Sequence, residues 1–284
     1  MRIVSSRKIM ADKKDYIFPG WDFTPLYDYI DKCIAPYRNV SEVYQYTDVD
    51  ALFNGIVRPK EYGSVDLCLR STNCQFLNDF NEIKYGRETV DRLVFGYLKE
   101  GRDDYKGLVN LDNIYLSCFS TEVNILPMWS MYGKEGKGIA LGFDVALLQS
   151  DKRRLYRCIY DFIEFRHEIQ EAVRSSRKKE NTMGNDPVVF SRYISILHEL
   201  LKDHCYEYEQ EYRLIIDTDE KPEYRSSGGV LIPYVENHFP ARALRTVIVG
   251  PRNDDEMVVK SIKGWLDSIG MGNVNVVPSG LPFR

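Results

Sequence analysis

The sequence predicts an α+β fold, a mixed or mainly antiparallel sheet with surrounding helices. Three observations predict it. Short runs that alternate with period two recur along the chain, as in SVDLCLRST and NIYLSCFST. Other stretches space their apolar residues three and four apart, the helical period. The two kinds are interspersed irregularly, without the strict strand–helix–strand alternation of a parallel sheet.

Taken in order, PLYDYIDKCIAPY has helical spacing through Leu26, Tyr29, Ile30 and Cys33, with Pro19, Gly20, Pro25 and Pro36 as punctuation. Val43-Tyr44-Gln45-Tyr46 reads as a strand. Thr47 or Asp48 then caps a helix with Val49, Leu52, Phe53 and Ile56 on one face, and Pro59 stops it. A strand follows through Val65, Leu67 and Leu69, and a loop, CQFLNDFNEIKYG. The spacing of Val90, Leu93, Val94, Tyr97 and Leu98 predicts a helix over 82–100. NIYLSCFST and GIALGFD are strands flanking a short helix at ILPMWSMYG, and a short strand is expected near RCIYDF. Residues 161–204 are helical, interrupted by SSRKKENTMGNDP, with SRYISILHELLKDH the clearer helix. YEYEQEYRLIIDT leads into a strand, and GVLIPYV and ALRTVIVGP are strands. DDEMVVKSIKGWLDSIG is a helix capped by Asp254 or Asp255 and ended by Gly270, and VNVVPS closes the series. The expected organisation is a helical arm at 1–41 and a single α+β catalytic domain at 42–284, carrying a helical insertion around 161–204.

Composition narrows the function classes. The 284 residues are 44% hydrophobic and 28% charged, which argues against a disordered or fibrous chain. A net charge of −4 argues against a bulk nucleic-acid coat and leaves room for a local basic groove. No run approaches the roughly 18 apolar residues of a membrane span. The start, MRIVSSRKIMADKKDYIF, lacks the apolar core of a secretory signal. Scattered cysteines without a CxxC pair point to a reducing cytoplasm. The four histidines form no HExxH, so no histidine-based metal site is expected. Neither GxGxxG after a strand nor GxxxxGK[ST] occurs, which speaks against a Rossmann or P-loop nucleotide site.

Five segments hold residue types suited to chemistry. Glu207, Glu209 and Glu211 alternate at the entrance to the apolar strand Leu214-Ile215-Ile216, with Arg213 between. An extended segment turns all three carboxylates to one side, which is costly unless a cation or hydroxyl meets them. Such a face is either a solvated edge or a carboxylate pair that binds ribose hydroxyls and stabilises a cationic sugar. Ser120-Thr121 ends a strand with two hydroxyls, as an ordinary turn or a ligand anchor. Tyr44, Gln45, Tyr46 and Thr47 form the third segment and Asn78, Asp79 and Glu82 the fourth, where a capping box suffices as explanation. Trp129 and Tyr132 share a helical face, either as core or as an aromatic wall for a flat ligand. By residue type alone, Asp79, Glu82, Glu209 and Glu211 suit a metal-dependent nuclease. Ser120, Thr121, Glu209 and Glu211 suit a nucleotide sugar.

The blocks YQYT, FLNDFNE, LSCFST, LPMWSMYGKEGKGIALGFD, YEYEQEYRLI and TVIVGP resemble a bacterial domain family of unknown function over roughly residues 43–284. A more distant resemblance is to ADP-ribosyltransferases of the Arg-Ser-Glu class, which present an Arg strand, a Ser-Thr-Ser strand and a Glu-x-Glu motif in that order. Phe119-Ser120-Thr121 resembles the second, with Glu122 at the last position, and Glu209-Gln210-Glu211 the third. Val43-Tyr44-Gln45 resembles the first, with Gln45 where Arg stands in the class. The resemblance implies a split sheet and NAD as substrate. It implies Glu211 as the catalytic glutamate, Glu209 as the group that orients or deprotonates the nucleophile, and Ser120 as the residue that holds Glu211. Thr121 would line the nicotinamide pocket, Tyr44, Tyr46 or Trp129 would stack on nicotinamide, and Arg70 would supply the charge absent at Gln45.

The expected function is therefore ADP-ribosyl transfer to a macromolecular acceptor, RNA, DNA or protein, in a cytoplasmic toxin or antiphage-defence effector with a possible antitoxin or regulatory protein as partner. The alternatives are the metal-dependent nuclease and a non-catalytic module that binds a nucleotide or a partner. Two basic clusters are candidate phosphate contacts or solvated faces: Lys152, Arg153, Arg154 and Arg157, and Arg174, Arg177, Lys178 and Lys179.

Overall fold

The structure, a computed structural model, describes residues 21–33, 40–77, 80–98, 111–150, 153–176, 186–253 and 256–282. The helices are α1 (Thr24–Lys32), α2 (Phe80–Leu98), α3 (Leu126–Met131), α4 (Val145–Leu148), α5 (Phe162–Ser175), α6 (Pro187–Leu200) and α7 (Glu256–Ser268). The strands are β1 (Glu42–Thr47), β2 (Val57–Pro59), β3 (Val65–Asn73), β4 (Ile114–Ser120), β5 (Ile139–Asp144) and β6 (Arg154–Arg157). Beyond these lie β7 (Glu211–Asp217), β8 (Glu223–Ser227), β9 (Val230–Pro240), β10 (Leu244–Val249) and β11 (Asn275–Pro278). The chain divides into two units, one of residues 1–33, 77–112 and 158–204, the other of residues 34–76, 113–157 and 205–284. Residues 21–33 of the expected arm fall in the same unit as the described part of the helical stretch around 161–204.

That first unit is helical. Asp161 and Asp186 cap α5 and α6, each accepting two backbone N–H groups of the first turn. Val90, Leu93 and Val94 of α2 are buried, as their spacing predicts. Phe23 packs on Phe190 with ring centroids 4.3 Å apart, and Tyr27 stacks on Tyr193 at 4.3 Å. Helix α6 begins at Pro187 rather than Ser191. Asp-Pro ahead of an apolar run is a start signal, since proline at the first helical position gives up an N–H that has no helical partner there.

The second unit is built on one mixed, mostly antiparallel sheet of eleven strands, ordered β11-β10-β5-β1-β4-β3-β9-β8, with β2 on β3, and β7 joining β4 to β6. Only β10 and β11 run parallel among these pairs. Strand β4 is the branch point. One edge pairs with β7 over its whole length, from Ile114↔Asp217 to Ser120↔Glu211. Its other edge is shared, with β3 at Tyr115 and Leu116 and β1 at Ser120. The α+β class read from the sequence is the class observed.

Alternation sorts the side chains. Val43, Phe119, Leu141, Phe143, Tyr212, Leu214 and Val247 enter one apolar core, together with Ile262 and Leu266 of α7. Each fully buried side chain of this size stabilises the fold by about 1.5–3 kcal/mol. The residues between them turn to the opposite face, where Tyr44, Tyr46, Ala140 and Ile248 surround Trp129.

Some elements differ from the expectation. The helix after β1 makes one α turn, Val49–Ala51, and then widens into a π turn, Leu52–Ile56, where Asn54 and Gly55 hold a helix weakly. Its cap is Asp48, which accepts the Ala51 N–H at 2.7 Å, and not Thr47. The strand expected near RCIYDF lies just before it, at Arg154–Arg157. Strand β8 and the second half of β9 were not expected, because β8 is exposed throughout and ends of strands rich in polar residues give no apolar period. Asp254 and Asp255, offered as caps of α7, lie outside the described residues. No described helix is long and apolar enough to cross a membrane.

Candidate functional site

Three neighbouring strands bring the Glu-x-Glu segment and the Ser-Thr segment together. Tyr44 of β1 pairs with Ser120 of β4, and Ser120 pairs with Glu211 of β7. Residues in register point to the same side of a sheet, so Tyr44, Ser120 and Glu211 form one row on the face opposite the main core. Gln45, one residue on, pairs with Leu141 of that core and turns to the other face. The expected grouping of Gln45 with Ser120 and Glu211 is thus corrected by the pleat, and Tyr44 takes its place. Thr47, in register with the core residue Ile139, shares the side of Gln45.

Glu211 is buried, and Arg213 meets it in a fork: Nε donates to Oε1 at 2.9 Å and Nη2 to Oε2 at 3.1 Å. The two side chains are 6% and 3% exposed, so the whole pair is removed from water. Two residues apart on one strand, they share a face, as alternation requires. The segment ahead of them is a 3₁₀ helix, His204–Glu209, and not an extended strand. Gln210 then takes the left-handed backbone region at φ 43, which reverses the chain into β7. The three glutamates therefore do not line up as an extended segment would place them: Glu207 is exposed, while Glu209 and Glu211 are buried.

Glu209 is 3% exposed, and its Oε1 accepts the Tyr132 hydroxyl at 3.0 Å. Ser120 Oγ donates to the Glu209 carbonyl at 2.6 Å and accepts the Glu122 N–H at 3.0 Å. Its proton therefore holds the turn that carries both glutamates, not the Glu211 carboxylate as the resemblance implied. Thr121 ties the same turn through its N–H to the Gln210 carbonyl at 3.2 Å.

The aromatic residues divide into structural and site groups. Trp129 is fully buried, donates Nε1–H to the Val123 carbonyl at 2.8 Å and meets Tyr46 edge-on at 5.0 Å. Both of its faces are occupied by packing, so it offers no surface for a nicotinamide ring. The Tyr46 hydroxyl donates to the Glu122 carbonyl, and burial raises it above the usual phenol range. Tyr44 donates to Glu42 Oε2 at 3.1 Å, and burial together with the Glu42 charge pushes its hydroxyl up to about 12. Glu42 Oε1 is buried and meets no hydrogen-bond partner among the described residues. Gly142, in register with Tyr44, makes this position possible, because a Cβ there would run into the Glu42 carboxylate. Arg213 reads from the sequence as the partner of a glutamate, and it pairs with Glu211; neither Glu42 nor the role of Tyr132 was singled out. The period-two pairs Glu42/Tyr44 and Glu211/Arg213 were the available signal.

The other expected residues lie elsewhere. Arg70 sits on β3, with Nε 3.5 Å from Glu236 and its guanidinium over the Tyr234 ring at 5.0 Å. It pairs in the β3–β9 arm and not in the row of Tyr44, Ser120 and Glu211. Asp79 and the side chain of Glu82 lie outside the described residues, as do Lys152, Arg177, Lys178 and Lys179. Arg153 is engaged by Phe239 at 4.5 Å and by the His238 carbonyl, and Arg174 by Glu171 at 2.6 Å.

A forked α+β sheet with Glu211 buried on one face, and a second buried glutamate, Glu209, in the turn that leads into its strand, is thus the class that fold and site define. Residues 128–214 match the model of a family described as "Protein of unknown function (DUF2971)". The matched stretch contains Tyr132, Glu209, Glu211 and Arg213 and leaves out Glu42, Tyr44 and Ser120. No curated protein and no solved structure matches the chain.

Proposed function

We propose that this chain transfers ADP-ribose from NAD to a macromolecular acceptor, RNA, DNA or protein, with Glu211 as the catalytic glutamate. The observation that carries the reading is the row of Tyr44, Ser120 and Glu211 across three adjacent strands, backed by the buried Glu209. Breaking the bond between ribose C1′ and the nicotinamide nitrogen sends its electron pair to nicotinamide and leaves positive charge on the sugar. A fixed carboxylate on a ribose hydroxyl stabilises that charge where water cannot screen it. Arg213 grips both oxygens of Glu211 and fixes the plane of its carboxylate. Glu209 accepts the proton of the acceptor's nucleophile as the new bond to C1′ forms. The Tyr132 hydroxyl occupies Glu209 in the free protein and is the group that the acceptor replaces. Glu42 Oε1 is an acceptor ready for a ligand hydroxyl.

The test is nicotinamide release from NAD, with and without cell extract as acceptor source, together with incorporation of labelled ADP-ribose. Glu211→Gln is nearly isosteric and removes the charge, so both signals should fall ~10²–10³-fold. Glu209→Gln should suppress transfer more than hydrolysis by water. A folded Glu211→Gln protein with full activity, or a wild-type chain that leaves NAD intact in the presence of extract, overturns the reading.

A further inference from the structure

On the β3–β9 arm, three side chains of different chemistry converge. Cys68 pairs with His238 and Arg70 with Glu236 across this antiparallel ladder, while Leu67, Leu69, Val235 and Phe239 enter the core on the other side. Cys68, Glu236 and His238 consequently share one face. Their ligand atoms, a thiol sulfur, a carboxylate oxygen and a ring nitrogen, all lie within 4.8 Å of one another. We propose that Cys68, Glu236 and His238 form a zinc-binding centre, with a fourth coordination position open to water.

The donor set carries the argument. Thiolate, imidazole and carboxylate together suit Zn²⁺, which binds them at about 2.0–2.3 Å in a tetrahedron. Such ligand atoms stand roughly 3.5 Å apart around the ion. His238 Nε2 is already 3.9 Å from Glu236 Oε2. Cys68 is buried at 1% exposure, whereas the His238 side chain is 52% exposed, so the cluster is closed on one side and wet on the other. Three protein ligands and a water-facing position are the arrangement of an open zinc site.

The surrounding shell supports the same reading. His238 Nδ1 lies 2.5 Å from Asp66 Oδ2. The Asp66 carboxylate is placed to accept the Nδ1 proton. That contact turns Nε2 toward Glu236. A carboxylate behind a histidine is how metal-binding imidazoles are oriented. Glu236 is braced in the same way by Arg58, which donates to its two oxygens at 2.7 and 2.5 Å. Oε1 also meets Arg70 Nε at 3.5 Å, and Oε2 is the oxygen that faces His238 Nε2. On binding, the Cys68 S–H bond breaks, its proton goes to solvent and the sulfur–zinc bond forms.

Metal-stripped full-length chain is titrated with Co²⁺ alone, followed by Zn²⁺ as competitor. The expected result is a near-ultraviolet thiolate-to-cobalt band with tetrahedral visible bands, displaced by Zn²⁺. Cys68→Ser should abolish the thiolate band. His238→Gln, an exposed change that leaves the core untouched, should weaken Co²⁺ binding at least ~10-fold, and Asp66→Asn by about 10–100-fold. Arg70→Ala, which removes a positive charge beside Glu236, should tighten it. Absence of a thiolate band in the wild-type chain overturns the proposal. So does a band that survives Cys68→Ser, or one with unchanged affinity in His238→Gln.

Discussion

Two arginine–glutamate forks in the same sheet invite comparison. Glu211–Arg213 is local, two residues apart on β7, and almost wholly withdrawn from water. Arg58–Glu236 joins β2 to β9 across 178 residues of sequence, with side chains 32% and 18% exposed. The second is a clamp: it ties distant segments, stays partly hydrated and loses little on desolvation. The first ties residues that the strand already holds, so it adds no constraint on topology. Removing both charges from water costs several kcal/mol per ion, and mutual attraction only roughly repays it. Under the proposed function, the carboxylate of such a pair has a role that topology does not give it.

The largest expected effect breaks that comparison open. Arg213→Met leaves Glu211 as an uncompensated buried charge and should destabilise the fold by about 3–5 kcal/mol, measured by urea unfolding. The double change Glu211→Leu with Arg213→Met should recover most of that loss, because well-packed apolar side chains of similar volume replace the pair at little cost. Under the proposed function it should also abolish nicotinamide release from NAD. A double variant as unstable as the single one would mean that the pair holds the fold together, and the contrast with Arg58–Glu236 would fall.

The clamp should give a smaller effect with a pH signature. Arg58→Ala should cost about 1 kcal/mol, as expected for a partly exposed pair of good geometry. The Arg58 hydrogen bonds hold the Glu236 carboxyl down at about 2, against an ordinary value of 4.5. A depressed carboxyl stabilises the fold above its unfolded value and loses that contribution as the pH falls through the folded one. The stability difference between wild type and Glu236→Gln should therefore be complete above pH 4.5 and decline as the pH falls toward about 2. A difference that is flat across this window would show that the charge of Glu236 adds nothing.

The contrast also explains what the sequence could reveal. Period two over NIYLSCFST and YRLIID places Phe119, Tyr212 and Leu214 in the core, and the structure agrees. Those elements are legible because burial dictates an apolar side chain at every second position. The Glu-x-Glu segment stood out for the converse reason, since acidic residues at the mouth of an apolar strand need a partner. What the residue string does not carry is which strand lies beside which. The row of Tyr44, Ser120 and Glu211 depends on register across β1, β4 and β7, set by contacts 76 and 91 residues apart in the chain (120 − 44 and 211 − 120). The same holds for Cys68 and His238, 170 residues apart (238 − 68) and adjacent in the β3–β9 ladder. The turn at Gln210 was illegible for another reason: a non-glycine residue at positive φ gives no local signal.

The smallest expected effect tests that register directly. Gln45 and Tyr44 are neighbours in sequence and lie on opposite faces of β1, so they should respond differently to removal of their polar groups. Gln45→Ala should change stability by no more than about 0.5 kcal/mol and leave nicotinamide release intact. Tyr44→Phe removes the hydroxyl from Glu42 Oε2 and leaves a carboxylate with Oε1 already buried and unpartnered. A buried acceptor deprived of its donor costs about 1–3 kcal/mol. Since Tyr44 lies in register with Ser120, this change should also lower nicotinamide release, while the apolar contacts of its ring are kept. The pair of variants thus separates the two faces with the least perturbation of packing. If Gln45→Ala abolishes activity and Tyr44→Phe leaves it untouched, the site faces the other side of the sheet, and the row through Ser120 and Glu211 is not where the chemistry occurs.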